Sequence, residues 1–498
     1  MSKHQKVLRA RVLLIPLERT SPRVEASQRP GRSKRYARRR ELGLLVLPCL
    51  FLVLEAYQLP LAGAYKAAPL VGSRSMFFSV GLLPSLQAIL PLLVLLVAFG
   101  IVHLLLARFF PQTDQMLIPL VALLSGLGVL LAMRNGPDAS IGADPLLGLK
   151  QLTWVLVGLG ACLLPLFWLR SMDWLRRYKY TWAVLGLVLV GATLVHALHT
   201  NLNSPTHDQL SIGPLSFQPS EVLKILLVVF FAAYLSENQE VIAASSIRPG
   251  SITLLPLRQL GPLLLMLMIA LALFLGIREL GLALLIYGSF LVLLYLGSGK
   301  RSYVLGGLVV FVALGFLGYE LFGYIRERFA TVGLDLVNWK QWSTATRTFA
   351  QNAGFQVAQG IVAISSGGIL GAGFGLGHAS ALVPLAQSDM VVSVLAEEFG
   401  LAGMFAVLAV YLLLLARGFH LALEAREPFH QLLAAGLTSL FGIQTLVICG
   451  GALKLLPLTG LPLPFLSYGG SSVVANFLII GLLLRLSHDT AIARGETA

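Results

Sequence analysis

Four groups of polar side chains lie inside or against long apolar runs, where a charge is costly and marks a candidate site by default. In Phe217-Gln218-Pro219-Ser220-Glu221-Val222-Leu223-Lys224, Pro219 suits a helix start, and Glu221 and Lys224 share one helical face and can pair. That pair either serves a site or pins a helix end. Arg278-Glu279-Leu280-Gly281 separates two apolar runs with almost no linker. Two charges at such a break suit paired half-helices around a polar site, or a local neutralisation of Glu279 by Arg278. Ser388-Asp389 precedes Leu395-Ala396-Glu397-Glu398-Phe399-Gly400. Adjacent glutamates point about 100° apart on a helix, so Glu397 and Glu398 are expected to find different partners, one in a cavity and one on a neighbouring helix. The fourth group is Lys454, placed to meet a phosphate or a carboxylate, and the run from Leu456 to Ser472, which holds Ser467 and Ser471. No membrane helix passes through Pro457, Pro462 and Pro464, since each proline removes a donor and clashes with the preceding turn. This is irregular backbone, tolerated beside a membrane only where protein buries it or it lines a wet cavity.

The elements that must hold these groups are membrane helices. Apolar residues make up 56% of the chain and charged residues only 12%, about half the usual share for a soluble protein. Mean hydropathy is +0.81. The apolar runs are continuous rather than alternating, which excludes a β-barrel. Twelve spans are expected, at 42–57, 84–107, 116–133, 151–169, 180–199, 218–236, 261–276, 280–297, 302–322, 387–416, 430–453 and 468–486. With that count, the loops carrying Arg170 to Lys179, Lys300 and Arg301, and Arg417 to Arg426 fall on the same side as the chain start. The positive-inside rule makes that side, and both termini, cytoplasmic. Residues 1–41 read as a disordered basic tail touching anionic membrane lipid rather than nucleic acid, and 488–498 as a C-terminal cytoplasmic tail. The first apolar run starts too late for an ordinary cleavable signal. Cys49, Cys162 and Cys449 fall inside expected spans and read as core residues. One long segment, 323–386, faces outward. Its run Gly367 to Gly377 lacks the preceding strand and the Gly-Lys-Ser/Thr of a nucleotide loop, so close backbone packing is the better reading.

The proline run and the three other groups together closely resemble the SEDS family, the FtsW/RodA/SpoVE polytopic proteins of bacterial cell-wall synthesis. Phe217 to Lys224 matches the family pattern Phe-Gln-Pro-Ser-Glu-x-x-Lys at every fixed position. Gln151-Leu152-Thr153-Trp154 matches the start of the family's second core helix. The family's Gln-Pro-Asp-Leu-Gly is altered here, with Arg278 in the proline position and Glu279 as the acid. Met390-Val391-Val392 replaces an aromatic-rich stretch after Asp389. The resemblance spans about 116–487 and implies an all-α polytopic membrane protein, a ten-helix core preceded by two additional helices within 42–115.

It also implies an activity. SEDS proteins are peptidoglycan glycosyltransferases that polymerise lipid II on the outer face of the bacterial cytoplasmic membrane, during elongation or division, with a class B penicillin-binding protein. A divalent cation, Mg or Mn, is commonly implicated. The catalytic aspartate of the family lies in the long outer loop, in a Trp-x-Asn/Asp-Pro-x-x-Asp context that this chain does not keep. Asn338 or Trp339 falls closest to that acid, and Asp335 near the earlier Asn/Asp position. From 323 to 388 the acids are Glu327 and Asp335, and Glu327, between Arg326 and Arg328, is expected to be ion-paired. Asp335 is therefore the candidate base if the loop supplies one; otherwise Asp389 takes the role or catalysis is weak. Arg328, Lys340, Arg347 and Lys454 are candidates for the pyrophosphate. His378 reads as a surface histidine. A flippase for the same lipid, or a scaffold activating the penicillin-binding protein, are the alternatives.

Overall fold

Apolar runs of about 20 residues can satisfy their backbone in a bilayer only by coiling into helices. The computed structural model describes residues 38–71, 82–138, 143–169, 171–200, 210–212, 215–244 and 257–495. The helices are α1 (Arg39–Val71), α2 (Leu82–Phe109), α3 (Leu117–Asp138), α4 (Leu147–Trp168), the short α5 (Asp173–Arg177), α6 (Lys179–Thr200), α7 (Pro219–Ala244), α8 (Leu257–Gly276), α9 (Leu280–Ser298) and α10 (Arg301–Leu321). The outer segment forms α11 (Gly323–Gly333), α12 (Thr344–Gln351), α13 (Phe355–Ser366) and α14 (Ala379–Leu382), and the chain closes with α15 (Val391–Glu424), α16 (Pro428–Ala452) and α17 (Gly470–Ala493). A small hairpin, β1 (Leu210–Ile212) against β2 (Leu215–Phe217) with Ser211 opposite Ser216, leads into α7.

Eleven of the described helices are long and apolar enough to cross a membrane. The expected span at 261–276 is α8, a shorter apolar helix. The expected basic tail lies outside the described residues except for its last four. The expected C-terminal tail is partly helix: α17 runs on to Ala493, and an Arg485–Asp489 pair (3.1 Å, one turn apart) supports its polar last turns.

Burial sorts the helices. The most apolar windows of α3 and α7 are 83% buried inside the bundle, whereas that of α10 is 6% buried. Helix α9 packs against both α7 and α16, α4 lies along α17, and α1 and α2 pack on each other and on α3. One end of the bundle gathers the basic loops. There Lys179 pairs with Glu237, the Lys300 ammonium reaches the Ile242 carbonyl (3.3 Å), and Arg494 pairs with Glu424 (3.3 Å). The proline run, the hairpin and the outer segment occupy the other end.

Helix α15 is two helices with a break between them. Gly400 sits at φ 67°, ψ −170°, a conformation open to glycine alone. The glycine run enters the break. Ala372 and Gly373 donate their amides to the carbonyls of Glu397 (2.8 Å) and Glu398 (3.0 Å), while Leu401 and Ala402 donate to Gly368 and Ile369 (3.0 Å each). A Cβ on Gly371 would lie 2.2 Å from the Glu398 carbonyl oxygen. Close backbone packing, expected of the glycines, is thus the packing of a loop into a broken span. Gly400→Ala is expected to lower stability by ~1–3 kcal/mol or more, through strain and through a Cβ that would lie 2.3 Å from the Gly371 nitrogen, read as the thermal midpoint of the purified protein. An unchanged midpoint would show that the break does not depend on that conformation.

Candidate functional site

The run from Leu456 to Tyr468 forms the floor of the site, and several of its neighbours hold it by polar contacts. The Gln444 amide on α16 donates to the Pro462 carbonyl (2.6 Å) and the Tyr411 hydroxyl on α15 to that of Pro464 (2.5 Å). The Ser467 hydroxyl donates to the Ser388 carbonyl (2.6 Å) and accepts from the Leu463 amide (2.8 Å). The Tyr468 amide donates to the Gln387 carbonyl (2.8 Å). Gln151, the residue singled out at the start of α4, donates to the Ser467 carbonyl (3.3 Å). The Ser471 hydroxyl accepts from the Gln218 amide (3.0 Å), joining the starts of α17 and α7. Ser467 and Ser471, the serines of that candidate group, are engaged in holding the backbone.

Beneath the floor lies the Glu221–Lys224 pair, 2.5 Å apart, with side chains 1% and 0% exposed. The Lys224 ammonium also approaches the Gln444 amide oxygen (3.4 Å), so the pair, Gln444 and Pro462 form one chain of polar contacts. On another side, Gly281 at the α8–α9 break abuts the run: a Cβ there would lie 2.9 Å from the Thr459 Cβ and 2.6 Å from the Leu461 Cγ. Glu279 precedes α9 and is buried.

Charges then gather above the floor. Arg328 on α11 donates to the carbonyls of Thr459 (3.1 Å) and Leu458 (3.4 Å). Asp389 is half-buried, its carboxylate 3.7 Å from where a Cβ on Gly460 would stand. Lys454 donates to the Leu334 carbonyl, which brings its ammonium beside Asp335. Asp335 is exposed and closes a turn: its carboxylate accepts from the Asn338 side-chain amide (2.7 Å) and from the backbone amides of Val337 (3.0 Å) and Asn338 (3.3 Å). These bonds, the Asn338 side chain foremost, together with Lys454, hold its carboxyl below the usual carboxylate range. The four described non-glycine residues in left-handed conformation, Arg278, Leu385, Lys454 and Phe465, all lie at this end. Strain of ~1–3 kcal/mol per residue is kept where the surroundings over-determine it, as at functional sites.

Other candidates stand apart from this cluster. Arg347 lies exposed on α12, its guanidinium on the Lys340 carbonyl (3.3 Å). The two glutamates do take different partners. Glu397 accepts from the amides of His378 (3.0 Å) and Ala379 (2.6 Å), and Glu398 pairs with Arg134 on α3 (3.1 Å). Both therefore brace the glycine run and the residues that follow it. Glu327 forms no ion pair among the described residues: Arg328 turns to Thr459 and Arg326 to the Glu320 carbonyl (3.0 Å).

Sequence reasoning missed Arg134, Glu55, Gln444 and Tyr411. Arg134 is buried, bonding Glu398, Asp138 (2.5 Å) and the Gly377 carbonyl (2.8 Å). Glu55 on the additional helix α1 is buried and interacts electrostatically with Glu398. A polar residue inside an apolar run is the signal that could have found Glu55 and Gln444.

The divalent cation has no fitting donor set here. Among the described residues no three His, Cys, Asp or Glu side chains cluster to hold one, and the Asp335 carboxylate is already held by three donors and faces Lys454.

Lys224→Met, which leaves Glu221 buried without its cation, is expected to cost about 3–5 kcal/mol of stability. Glu221→Gln combined with Lys224→Met should regain most of it. Thermal unfolding of the three variants checks this, and a mild single variant would contradict it.

Comparison with known proteins agrees with this architecture. The sequence matches the FTSW_RODA_SPOVE cell cycle protein family over residues 114–492. It is 36% identical over 401 residues to the peptidoglycan glycosyltransferase RodA of Mycobacterium tuberculosis, covering 80% of this chain and 82% of that protein. The fold resembles the rod shape determining protein RodA of Thermus thermophilus (TM-score 0.52, 26% identity, 76% of this chain and 97% of that one). It also resembles a chain from a structure concerned with the coordination of polymerization and crosslinking by a peptidoglycan synthase complex (TM-score 0.59, 27% identity, 76% and 98%). With a buried Glu221–Lys224 pair, a broken α15 and a proline run bound on every side, this chain belongs to the FtsW/RodA/SpoVE family of polytopic membrane proteins.

Proposed function

We propose that this peptidoglycan glycosyltransferase polymerises lipid II, with Asp335 as the base. The observations that carry the reading are that Arg328 and Asp389 both meet the stretch Leu458 to Gly460, and that Lys454, just before that stretch, reaches the Leu334 carbonyl beside Asp335. The basic loops lie at the opposite end of the bundle, so the positive-inside rule puts this cluster on the outer face of the bacterial cytoplasmic membrane and both termini in the cytoplasm. A lipid-linked substrate stays in the membrane while its pyrophosphate and sugars stand at that face.

The reaction joins two such lipids. The 4-hydroxyl of one sugar attacks the anomeric carbon of another. The new glycosidic C–O bond forms as the bond to the pyrophosphate oxygen breaks, and the electron pair leaves with undecaprenyl pyrophosphate. Asp335 takes the hydroxyl proton. Arg328 and Lys454 face the charge that grows on the leaving pyrophosphate. Their contacts to backbone carbonyls fix them in advance, so little reorganisation is left to the transition state. Asp389 orients the sugar above Gly460. A class B penicillin-binding protein crosslinks the product strand; support for that partner comes from the synthase complex whose chain this fold resembles.

Asp335→Asn is expected to lower the polymerisation rate on labelled lipid II by about 10²-fold or more, with purified protein and its partner present. Undiminished activity would remove Asp335 from the role and turn attention to Asp389; no product from wild type would favour a scaffold or flippase. The pH profile gives a second check. Because the Asp335 carboxyl is held low, the ionised form, and activity that needs it, persists at neutral pH and is lost only as pH falls through that lowered value. No Asp335 limb is expected between pH 5 and 8. Asn338→Ala removes the foremost cause of the lowering and should move the acid limb upward; a limb that stays in place would contradict the assignment.

A further inference from the structure

At the end of the bundle opposite the proline run lies a cavity of about 380 Å³ that the polymerisation reading does not use. Its walls come from the start of α1, the α2–α3 turn, and the last turns of α15 and α17. They carry Arg40, Asp114, Arg417, Glu424, Ser487 and Arg494. The two acids are already engaged. Asp114 accepts from the amides of Met116 (2.8 Å) and Leu117 (3.1 Å) and pairs with Arg417, while Glu424 pairs with Arg494 (3.3 Å) and faces His420 (3.0 Å). Arg40 forms no ion pair or hydrogen bond with the other described residues and is exposed. Three arginines against two carboxylates leave one positive charge, and it rests on Arg40.

We infer that this cavity binds the phosphate of an anionic phospholipid. Three observations favour a lipid phosphodiester over a free phosphate. The single unbalanced charge matches the single charge of a diester. Leu44 and Leu421 line the same cavity and suit glycerol and acyl carbons. The site sits where membrane helices begin and end, the depth of lipid headgroups. Its occupant would bridge the additional helix α1, reaching back through Arg40, and the family core, reaching forward through Arg417 and Arg494. Arg38 already ties the same junction, donating to the carbonyls of Thr113 (3.0 Å) and Asp114 (3.2 Å). A lipid there would fasten α1 to the core at the end remote from the chemistry.

The test is a titration of the purified full-length protein in neutral detergent with short-chain phosphatidylglycerol, phosphatidylcholine or inorganic phosphate, read as the shift in thermal midpoint. Phosphatidylglycerol is expected to raise the midpoint and phosphatidylcholine to leave it unchanged. The apparent affinity should fall about fivefold in Arg40→Gln and about thirtyfold in Arg40→Glu, given the strength of attraction of one arginine to anionic lipid. Arg108→Glu, an exposed charge at the same end but outside the cavity, should not alter it. Equal shifts in wild type and Arg40→Glu, or equal loss in Arg108→Glu, would overturn the site in favour of general surface attraction. A shift produced equally by inorganic phosphate and lost in Arg40→Glu would place a free phosphate there and overturn the lipid assignment.

Discussion

A backbone amide or carbonyl left unpaired in hydrocarbon costs several kcal/mol, and this chain breaks its helices repeatedly inside the bundle. It does so between α8 and α9, at Gly400 in α15, and from Leu453 to Gly469 between α16 and α17. Each break is repaired by another part of the chain. The glycine run supplies two donors and two acceptors to the gap in α15. The proline run receives Gln444 and Tyr411 on its carbonyls and Ser467 on its amide. At the α15 break and along the proline run the helices do not satisfy themselves, and the segments that fill them supply the missing partners.

That arrangement explains why buried charges occur where they do. Glu398 and Arg134 brace the loop filling α15, and Glu221 and Lys224 lie beneath the proline run. Buried pairs of this kind contribute little net stability over an apolar core, because desolvation offsets attraction. They give the irregular segments one arrangement rather than several. The free energy stored in left-handed residues such as Lys454 and Phe465 is tolerated for the same reason: their neighbours leave them no alternative. A site formed on such a floor keeps Arg328 and Asp389 in place without substrate.

How much of this was legible in the sequence follows from the range of each interaction. The spans were readable because twenty apolar residues leave few options, and Glu221–Lys224 because three residues on a helix fix a shared face. The ends were less so: α17 outlasts its apolar run because Arg485 and Asp489 pair along it. The break in α15 was hidden, since Glu-Phe-Gly-Leu reads as helix and only contact with residues 367–373 gives Gly400 its conformation. The partners of Glu397 and Glu398 were hidden for the same reason. Arg134, which pairs with Glu398, comes from a helix more than 250 positions away in sequence. Asp335 was reached through the content of the loop; its turn bonds to Asn338 and its nearness to Lys454 were not written in any spacing.

That the proline run is a fixed floor, held by hydrogen bonds despite lacking helix, is tested most directly by hydrogen exchange in the purified protein. The amides of Leu463, Leu466, Ser467 and Tyr468, each bonded within the run or to Ser467 and Gln387, should exchange as slowly as those of the flanking helices α16 and α17. Exchange at the rate of an exposed loop would mean that the floor opens freely, and the site could not rest on it.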